Sequence, residues 1–158
     1  MKSVYIESSV ISYLTARPSN DLVKSARQAI TIDWWENQRH RFDIFVSELV
    51  EEEISRGDSE AAEKRLDIAS GIPNLDISDM AREIAETLIA GRLIPEKSPE
   101  DALHIGIAAA EGVDYLITWN FKHINNAETK NDINKLIENL GFVPPILCSP
   151  EELGGTND

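Results

Sequence analysis

One continuous segment constrains the fold of this chain more than any other. Residues 98–124 read SPEDALHIGIAAAEGVDYLITWNFKHI. Ser98 and Pro99 begin a helix with an apolar face, and Gly112 ends it. A short apolar strand, residues 115–118, then runs into a polar loop. A helix followed by a tight turn and a buried strand is the repeating unit of an open parallel sheet, so this segment predicts an α/β fold.

Apolar strands and amphipathic helices alternate through the rest of the chain. The predicted strands are residues 4–6, 42–46, 75–77, 115–118 and 143–148. This alternation predicts one three-layer α/β/α domain with a central parallel sheet, spanning residues 1–148. Because Pro144 and Pro145 interrupt the last strand, we expect it at an edge of the sheet. Residues 149–158 are expected to form a flexible tail.

The first long helix is predicted over residues 21–39. Its inner face is expected to carry the apolar side chains Leu22, Val23, Ala26, Ala29, Ile30 and Trp34. The adjacent Trp34 and Trp35 cannot both face the core, because neighbouring residues on a helix point in different directions.

The overall charge excludes binding to nucleic acid through a generally basic surface. The chain has 15 Lys and Arg against 28 Asp and Glu, a formal net charge of -13, whereas nonspecific affinity for phosphate backbones comes from basic side chains. The first 42 residues are the exception, with six Lys and Arg against four Asp and Glu. A polyanion would therefore approach through this part or through a bound cation; alternatively, the acidic charge serves solubility alone.

The sequence also predicts the compartment. Cys148 is the single cysteine, so no disulfide can form within the chain. Glu7 interrupts the first apolar run, which argues against a signal peptide. No apolar run approaches the roughly 20 residues needed to span a bilayer. We therefore expect a cytoplasmic protein without membrane contact.

Four polar residues occupy equivalent positions in the predicted sheet. Glu7 directly follows the first strand, and Asn120 follows the fourth. Glu53 is the acidic residue on the buried arc of the helix after the second strand, and Asp101 lies in the first turn of the helix after Ser98. Strand carboxyl ends and the amino ends of the following helices share one edge of a parallel sheet, so the four side chains are expected to converge.

Three of these residues, and the nearby His104, also have a structural interpretation. The Glu7 side chain could turn to solvent or meet the start of the next helix. The spacing of Ser98 and Asp101 matches a capping box. Asn120 could bond its own backbone, as turn asparagines commonly do. His104, one turn after Asp101, could orient a carboxylate or serve the core alone.

Converging carboxylates point to a divalent cation. They repel one another and raise each other's pKa unless a cation lies between them. Ligand sets made of oxygen alone favour Mg²⁺ or Mn²⁺ over zinc. Such an ion polarises a phosphodiester and lowers the pKa of water, so no covalent nucleophile is needed. Glu7, Glu53 and Asp101 are therefore the predicted metal ligands, and Asn120 completes the predicted catalytic set.

Four motifs, in order, resemble the PIN domain family, and within it the VapC-type toxins of bacterial toxin-antitoxin pairs. YIESSV is similar to the family's opening strand, and VSELVEEEI to its second motif, whose glutamate falls on Glu53. EDALHIGIA resembles the third motif, with the metal-binding aspartate on Asp101, and LITWN resembles the fourth. The resemblance spans about residues 3–147.

This resemblance implies a fold and an activity. The fold is a central parallel sheet, and the activity is endonucleolytic cleavage of RNA by a carboxylate-bound Mg²⁺ or Mn²⁺. It also implies an antitoxin partner that blocks the site, and a homodimer. An unpaired strand is the expected substrate, because its backbone is accessible in a cleft. Arg17, Lys24 and Lys122 are candidate phosphate contacts.

The chain departs from the family pattern at two positions. Glu7 stands where the family usually has Asp, which adds one methylene to the side chain. Asn120 stands where the family usually has a further Asp, which removes one charge from a second metal position. A one-metal or weak ribonuclease is therefore expected, and the alternative is a PIN-fold protein that binds RNA or a protein partner without cutting.

Overall fold

The structure is a computed structural model, and it describes residues 1–155. Five parallel strands form one sheet in this part of the chain: β1 (Lys2–Ile6), β2 (Phe42–Ser47), β3 (Asn74–Leu75), β4 (Tyr115–Ile117) and β5 (Ile146–Cys148). Their order is β3-β2-β1-β4-β5, so β1 is central and β5 lies at an edge. The predicted α/β fold with a central parallel sheet is confirmed, as is the edge position of the last strand.

Seven α-helices connect the strands within residues 1–155: α1 (Ser8–Thr15), α2 (Leu22–Asp33), α3 (Glu48–Ile54), α4 (Ser59–Ala69), α5 (Asp79–Ala90), α6 (Pro99–Glu111) and α7 (Lys130–Asn139). A π-helical turn (Trp34–Gln38) and a 3₁₀ turn (Arg39–Arg41) extend α2 towards β2. None of the helices described is both long and apolar enough to cross a membrane.

The core forms around β1, because this strand is covered on both faces. Val4, Tyr5 and Ile6 are fully buried, as are Leu116 and Ile117 of the neighbouring β4. Strands buried on both faces have nearly continuous apolar sequences, which is the pattern of these two segments. The consequence is that any polar residue immediately after β1 or β4 lies at the boundary of a dry interior.

The prediction of which side chains of α2 face the core is largely wrong. Four of its apolar side chains are exposed, namely Leu22, Val23, Ala26 and Ala29. Gln28 and Thr31 are buried in their place. Gln28 Nε2 donates hydrogen bonds of 2.9 Å to the carbonyl oxygens of Ala16 and Arg17. The side of α2 that faces the domain therefore carries a residue whose side chain bonds the carbonyl groups of the preceding loop.

Helix α6 lies unusually close to α5. A Cβ atom placed on Gly106 would come within 2.2 Å of the Ala81 carbonyl oxygen. Seven residues of α6 are buried, among them His104. The missing side chain at Gly106 therefore sets how deeply α6 sits, and with it the position of Asp101 at the start of the same helix.

The segment after β5 packs against the domain. Ser149 and Pro150 are buried, and Leu153 contacts the core. Arg41 donates a 3.1 Å hydrogen bond to the carbonyl oxygen of Leu153. These contacts join residues 149–153, which lie beyond the predicted boundary at residue 148, to the rest of the described chain. Residues 156–158 of the predicted tail lie outside the described part of the chain.

Candidate metal centre at the carboxyl edge of the sheet

Glu7 lies at the carboxyl end of the central strand and is 5% exposed. Its carboxylate caps α1, because Oε2 accepts a 3.1 Å hydrogen bond from the backbone N–H of Ser9. The hydroxyl groups of Ser9 and Thr118 donate to Oε1 at 2.5 and 2.6 Å. The interpretation in which Glu7 meets the next helix is confirmed. These three donors offset the cost of burying a carboxylate beside the apolar strand.

Glu53 points inward from α3, as the helical periodicity predicts. Its Oε1 accepts a 2.7 Å hydrogen bond from the hydroxyl of Ser8 and a 2.5 Å hydrogen bond from Nε2 of His104. The other ring nitrogen of His104, Nδ1, lies 2.8 Å from the hydroxyl of Tyr5. That hydroxyl is also 2.7 Å from the side-chain oxygen of Ser47. A buried hydrogen-bond chain therefore holds Glu53 in place from the core.

Glu53 and His104 each stabilise the charged form of the other. Burial acts to raise the pKa of Glu53, but the hydrogen bond and charge of His104, with the hydrogen bond from Ser8, outweigh it and lower the pKa to about 2. Burial also acts to lower the pKa of His104, whereas the Glu53 hydrogen bond and the nearby charges of Glu7, Glu53 and Asp101 raise it above its ordinary value. Glu53 is consequently a carboxylate throughout the physiological pH range.

Asp101 does not take part in a capping box. The side chain of Ser98 makes no cap hydrogen bond, and its backbone N–H donates instead to the carbonyl oxygen of Pro95 at 2.9 Å. The carboxylate of Asp101 turns towards the loop after β4, where Oδ2 lies 2.8 Å from Nδ1 of His123. The capping interpretation is therefore wrong for Asp101, whose remaining oxygen, Oδ1, has no hydrogen-bond partner within residues 1–155.

Asn120 shapes the loop after β4. Its Oδ1 accepts hydrogen bonds from the backbone N–H groups of Lys122 and His123 at 3.2 and 2.9 Å. Its own N–H donates to the hydroxyl of Thr118 at 2.9 Å. The turn interpretation is confirmed. Because a carbonyl oxygen has two lone pairs, both are engaged here, and a direct contact with a cation would require one to be released.

The structure brings two of the predicted acids together and adds a histidine. Glu7, Glu53 and His104 each offer a ligand atom within 4.8 Å of the others, and no further group of this kind occurs in residues 1–155. Asp101 lies outside this group, one turn before His104 on α6. The interpretation in which His104 orients a carboxylate is confirmed, and the carboxylate is that of Glu53.

The donor atoms suit a hard divalent cation. Both ring nitrogens of His104 are engaged by Glu53 and Tyr5, so the histidine positions a carboxylate rather than offering a ligand. A carboxylate oxygen remains, since Asp101 Oδ1 has no hydrogen-bond partner within residues 1–155. Oxygen ligands of this type fit Mg²⁺ or Mn²⁺.

Comparison with known proteins agrees with this description. In an open parallel α/β sheet, ligands bind beyond the carboxyl ends of the strands, which is where these carboxylates lie. The family model described as PIN domain matches residues 4–127, and the chain belongs to this family. PIN domains are typically metal-dependent nucleases. A search of curated proteins gave no match.

Proposed function

We propose that this protein is a metal-dependent endoribonuclease that cleaves single-stranded RNA. The observation that carries the proposal is the placement of Glu7 and Glu53 in one buried cluster, with Asp101 on the adjoining turn of α6, in a PIN domain. These three carboxylates would hold Mg²⁺ or Mn²⁺. The chemistry such an ion supplies is charge stabilisation at the phosphodiester and acidification of water.

The surrounding residues prepare the carboxylates for this role. Ser9 and Thr118 fix Glu7, and Ser8 and His104 fix Glu53, so neither carboxylate needs to reorganise when a substrate binds. A carboxylate of this set would accept the proton that the attacking water releases. No serine or cysteine nucleophile is required in this scheme, because water attacks the phosphorus directly.

Substrate approach depends on the few basic residues of the chain. The chain is acidic overall, with a formal net charge of -13. Arg17, Lys24 and Lys122 are exposed and remain candidate phosphate contacts. An unpaired RNA strand is the favoured substrate, because a single backbone can enter where a duplex is too wide.

We further propose that the protein is a VapC-type toxin whose partner is an antitoxin, acting as a cytoplasmic homodimer. The support is the similarity of four ordered motifs to that group. Co-expression with the product of an adjacent small gene, followed by co-purification and light scattering, tests this. We expect a stable complex with suppressed ribonuclease activity and a dimer of the free protein; a monomer that no neighbouring product inhibits would contradict the assignment.

A second candidate function is binding of RNA or a protein partner without cleavage. It is favoured by Asn120, where the family usually has a carboxylate and where the amide oxygen is already engaged by two backbone N–H groups. If this second function is correct, the cluster of Glu7, Glu53 and His104 would keep its structure but the site would lack a second metal position.

One assay separates the two functions. Purified protein is incubated with mixed single-stranded RNAs and Mn²⁺, beside Asp101→Asn and the matched charge control Glu48→Gln, which alters an exposed residue of α3. We expect cleavage by the wild-type protein and by the control, and none by Asp101→Asn or after addition of EDTA. Equal products from Asp101→Asn would indicate a contaminating nuclease, and RNA binding without cleavage would establish the second function.

A further inference from the structure

An aromatic side chain stands exposed immediately beside the proposed site. Phe121, in the loop after β4, is 40% exposed, whereas the neighbouring Trp119 is 6% exposed. The two rings meet edge to face, with centroids 6.0 Å apart and an interplanar angle of 85°. Phe121 thus rests on a buried ring and presents apolar surface to solvent.

Trp119 is a rigid support for this surface. Its Nε1 donates a 2.9 Å hydrogen bond to the hydroxyl of the fully buried Thr31. The ring of Tyr13 contacts it edge to face at 5.9 Å. Contacts from α1 and α2 therefore fix the indole, and the position of Phe121 follows from it.

A cation completes the group. The Arg27 guanidinium carbon lies 5.4 Å from the ring centroid of Trp119 and 5.2 Å from that of Phe121. Within residues 1–155 no carboxylate lies within 4.0 Å of this guanidinium. A guanidinium held by rings instead of by an acid keeps its hydrogen-bond donors available for a phosphate.

Ser9 connects this group of side chains to the carboxylate cluster through two hydrogen bonds. The backbone N–H of Trp119 donates to the hydroxyl of Ser9 at 2.9 Å, and the same hydroxyl donates to Glu7 at 2.5 Å. A nucleotide whose phosphate lies at the carboxylates would therefore have its neighbour close to Phe121. Flat rings with an adjoining cation match the chemistry of an unpaired nucleotide, which has an aromatic face and a charged phosphate.

We propose that Phe121, supported by Trp119 and accompanied by Arg27, is a stacking platform for one unpaired base next to the scissile phosphate. The proposal rests on the proposed ribonuclease function and adds a base-binding position to it. This position would accept any of the RNA bases, because every base has an aromatic face.

Binding without turnover tests this platform. The affinity of fluorescein-labelled single-stranded RNA is measured by anisotropy in Mg²⁺, in an Asp101→Asn background. Phe121→Ala and Phe121→Leu are each expected to weaken binding by about 5- to 150-fold, the range for one stacked base. Phe121→Trp keeps an aromatic face and should bind within about twofold of the parent. Arg27→Gln should reduce the salt dependence of binding by about one phosphate contact.

An abasic scan of the RNA locates the stacked base. At one position in the RNA, removal of the base is expected to weaken binding of the parent protein as much as the Phe121→Ala substitution does. At that same position, removal of the base should not weaken binding of Phe121→Ala any further. Parent-like affinity of both Phe121→Ala and Phe121→Leu, or equal sensitivity of parent and variant at every abasic position, would overturn the platform even if the wild-type protein cleaves RNA.

The same measurements separate this proposal from the proposed function. Binding that depends on Phe121, together with a wild-type protein that never cleaves, would retain the platform and reject the nuclease. Absence of RNA binding by the parent and by every variant would reject both. Normal binding by Phe121→Trp would show that the losses in the other two variants follow the removal of the aromatic ring and not substitution at this position as such, and circular dichroism of Phe121→Ala and Phe121→Leu would show that both variants are folded.

Discussion

His104 donates a hydrogen bond to Glu53 from a fully buried position, with Nε2 and Oε1 2.5 Å apart. Two residues 51 positions apart in the chain thereby fix the relative placement of α3 and α6. A buried ion pair of this kind is costly to break, because removing one partner leaves the other charge uncompensated. The pair therefore links stability to pH.

We expect the free energy of unfolding to be greatest between about pH 4.5 and 6.5. The pKa of His104 is raised above 6.5 by folding, so its contribution is complete below that pH and is lost as the pH rises through the folded value. The pKa of Glu53 falls from 4.5 to about 2, so its contribution is present above pH 4.5 and is lost as the pH falls towards 2.

Urea unfolding in EDTA at about pH 6 and about pH 9 measures the histidine part of this effect. The wild-type protein should be less stable at the higher pH. Glu53→Gln removes the charge that supports the histidinium, so the difference between the two conditions should shrink in this variant. If the stability difference between the two pH values were equal in the wild-type protein and in Glu53→Gln, the Glu53–His104 pair would not be the cause of the pH dependence.

Tyr5→Phe should destabilise the fold by about 1–3 kcal/mol, because it leaves buried polar atoms of His104 and Ser47 without their partner. Tyr115→Phe is the matched control, since the half-buried Tyr115 hydroxyl has no hydrogen bond within residues 1–155. Urea unfolding of both variants measures the difference. Equal stability of the two would mean that the hydrogen-bond chain beneath Glu53 contributes nothing.

Gly106→Ala should lower the melting temperature strongly, because the new Cβ would lie 2.2 Å from the Ala81 carbonyl oxygen and force α5 and α6 apart. Overpacking of this kind costs about 1–3 kcal/mol, and occasionally more. Gly71→Ala provides the comparison, since nothing lies within 4 Å of a Cβ there. Thermal melts that cannot distinguish the two variants would contradict the close helix contact.

Asn120→Asp should tighten binding of Mn²⁺. An aspartate accepts the same backbone hydrogen bonds and therefore keeps the turn, while adding a negative charge at the edge of the sheet. A charge about 4 Å from a cation contributes about 1 kcal/mol even in water, or about fivefold in Kd. Isothermal titration calorimetry measures the change; unaltered affinity would place Asn120 away from the ion.

The sequence carried enough information to predict the sheet and the inward carboxylate. Apolar segments bounded by turns identify strands, and the 100° helical period singles out Glu53, whose side chain does enter the cluster. The same period misled for α2, because it reports how apolar residues are distributed and not which side meets the domain. Leu22 is 86% exposed while Gln28 is buried against loop carbonyl groups, a need that periodicity does not record.

The long-range hydrogen bonds around the acids could not be predicted from spacing in the sequence. Thr118 reaches Glu7 only because β4 pairs with β1, and strand order is not written in any local motif. The spacing of Ser98 and Asp101 predicts a capping box, but the Asp101 carboxylate bonds His123, which lies 22 residues further along the chain. The tertiary contact with His123, and not the local spacing, therefore determines where the Asp101 side chain points.

The hydrogen bond from Thr118 to Glu7 spans 111 residues of chain. A polypeptide still being translated has its central strand from the start, yet it gains one of the two neighbours of that strand only after β4 has left the ribosome. At about 5–20 residues per second, synthesis of the intervening chain takes many seconds. The carboxylate cluster is therefore a late product of biosynthesis, and a chain released before β4 would lack it.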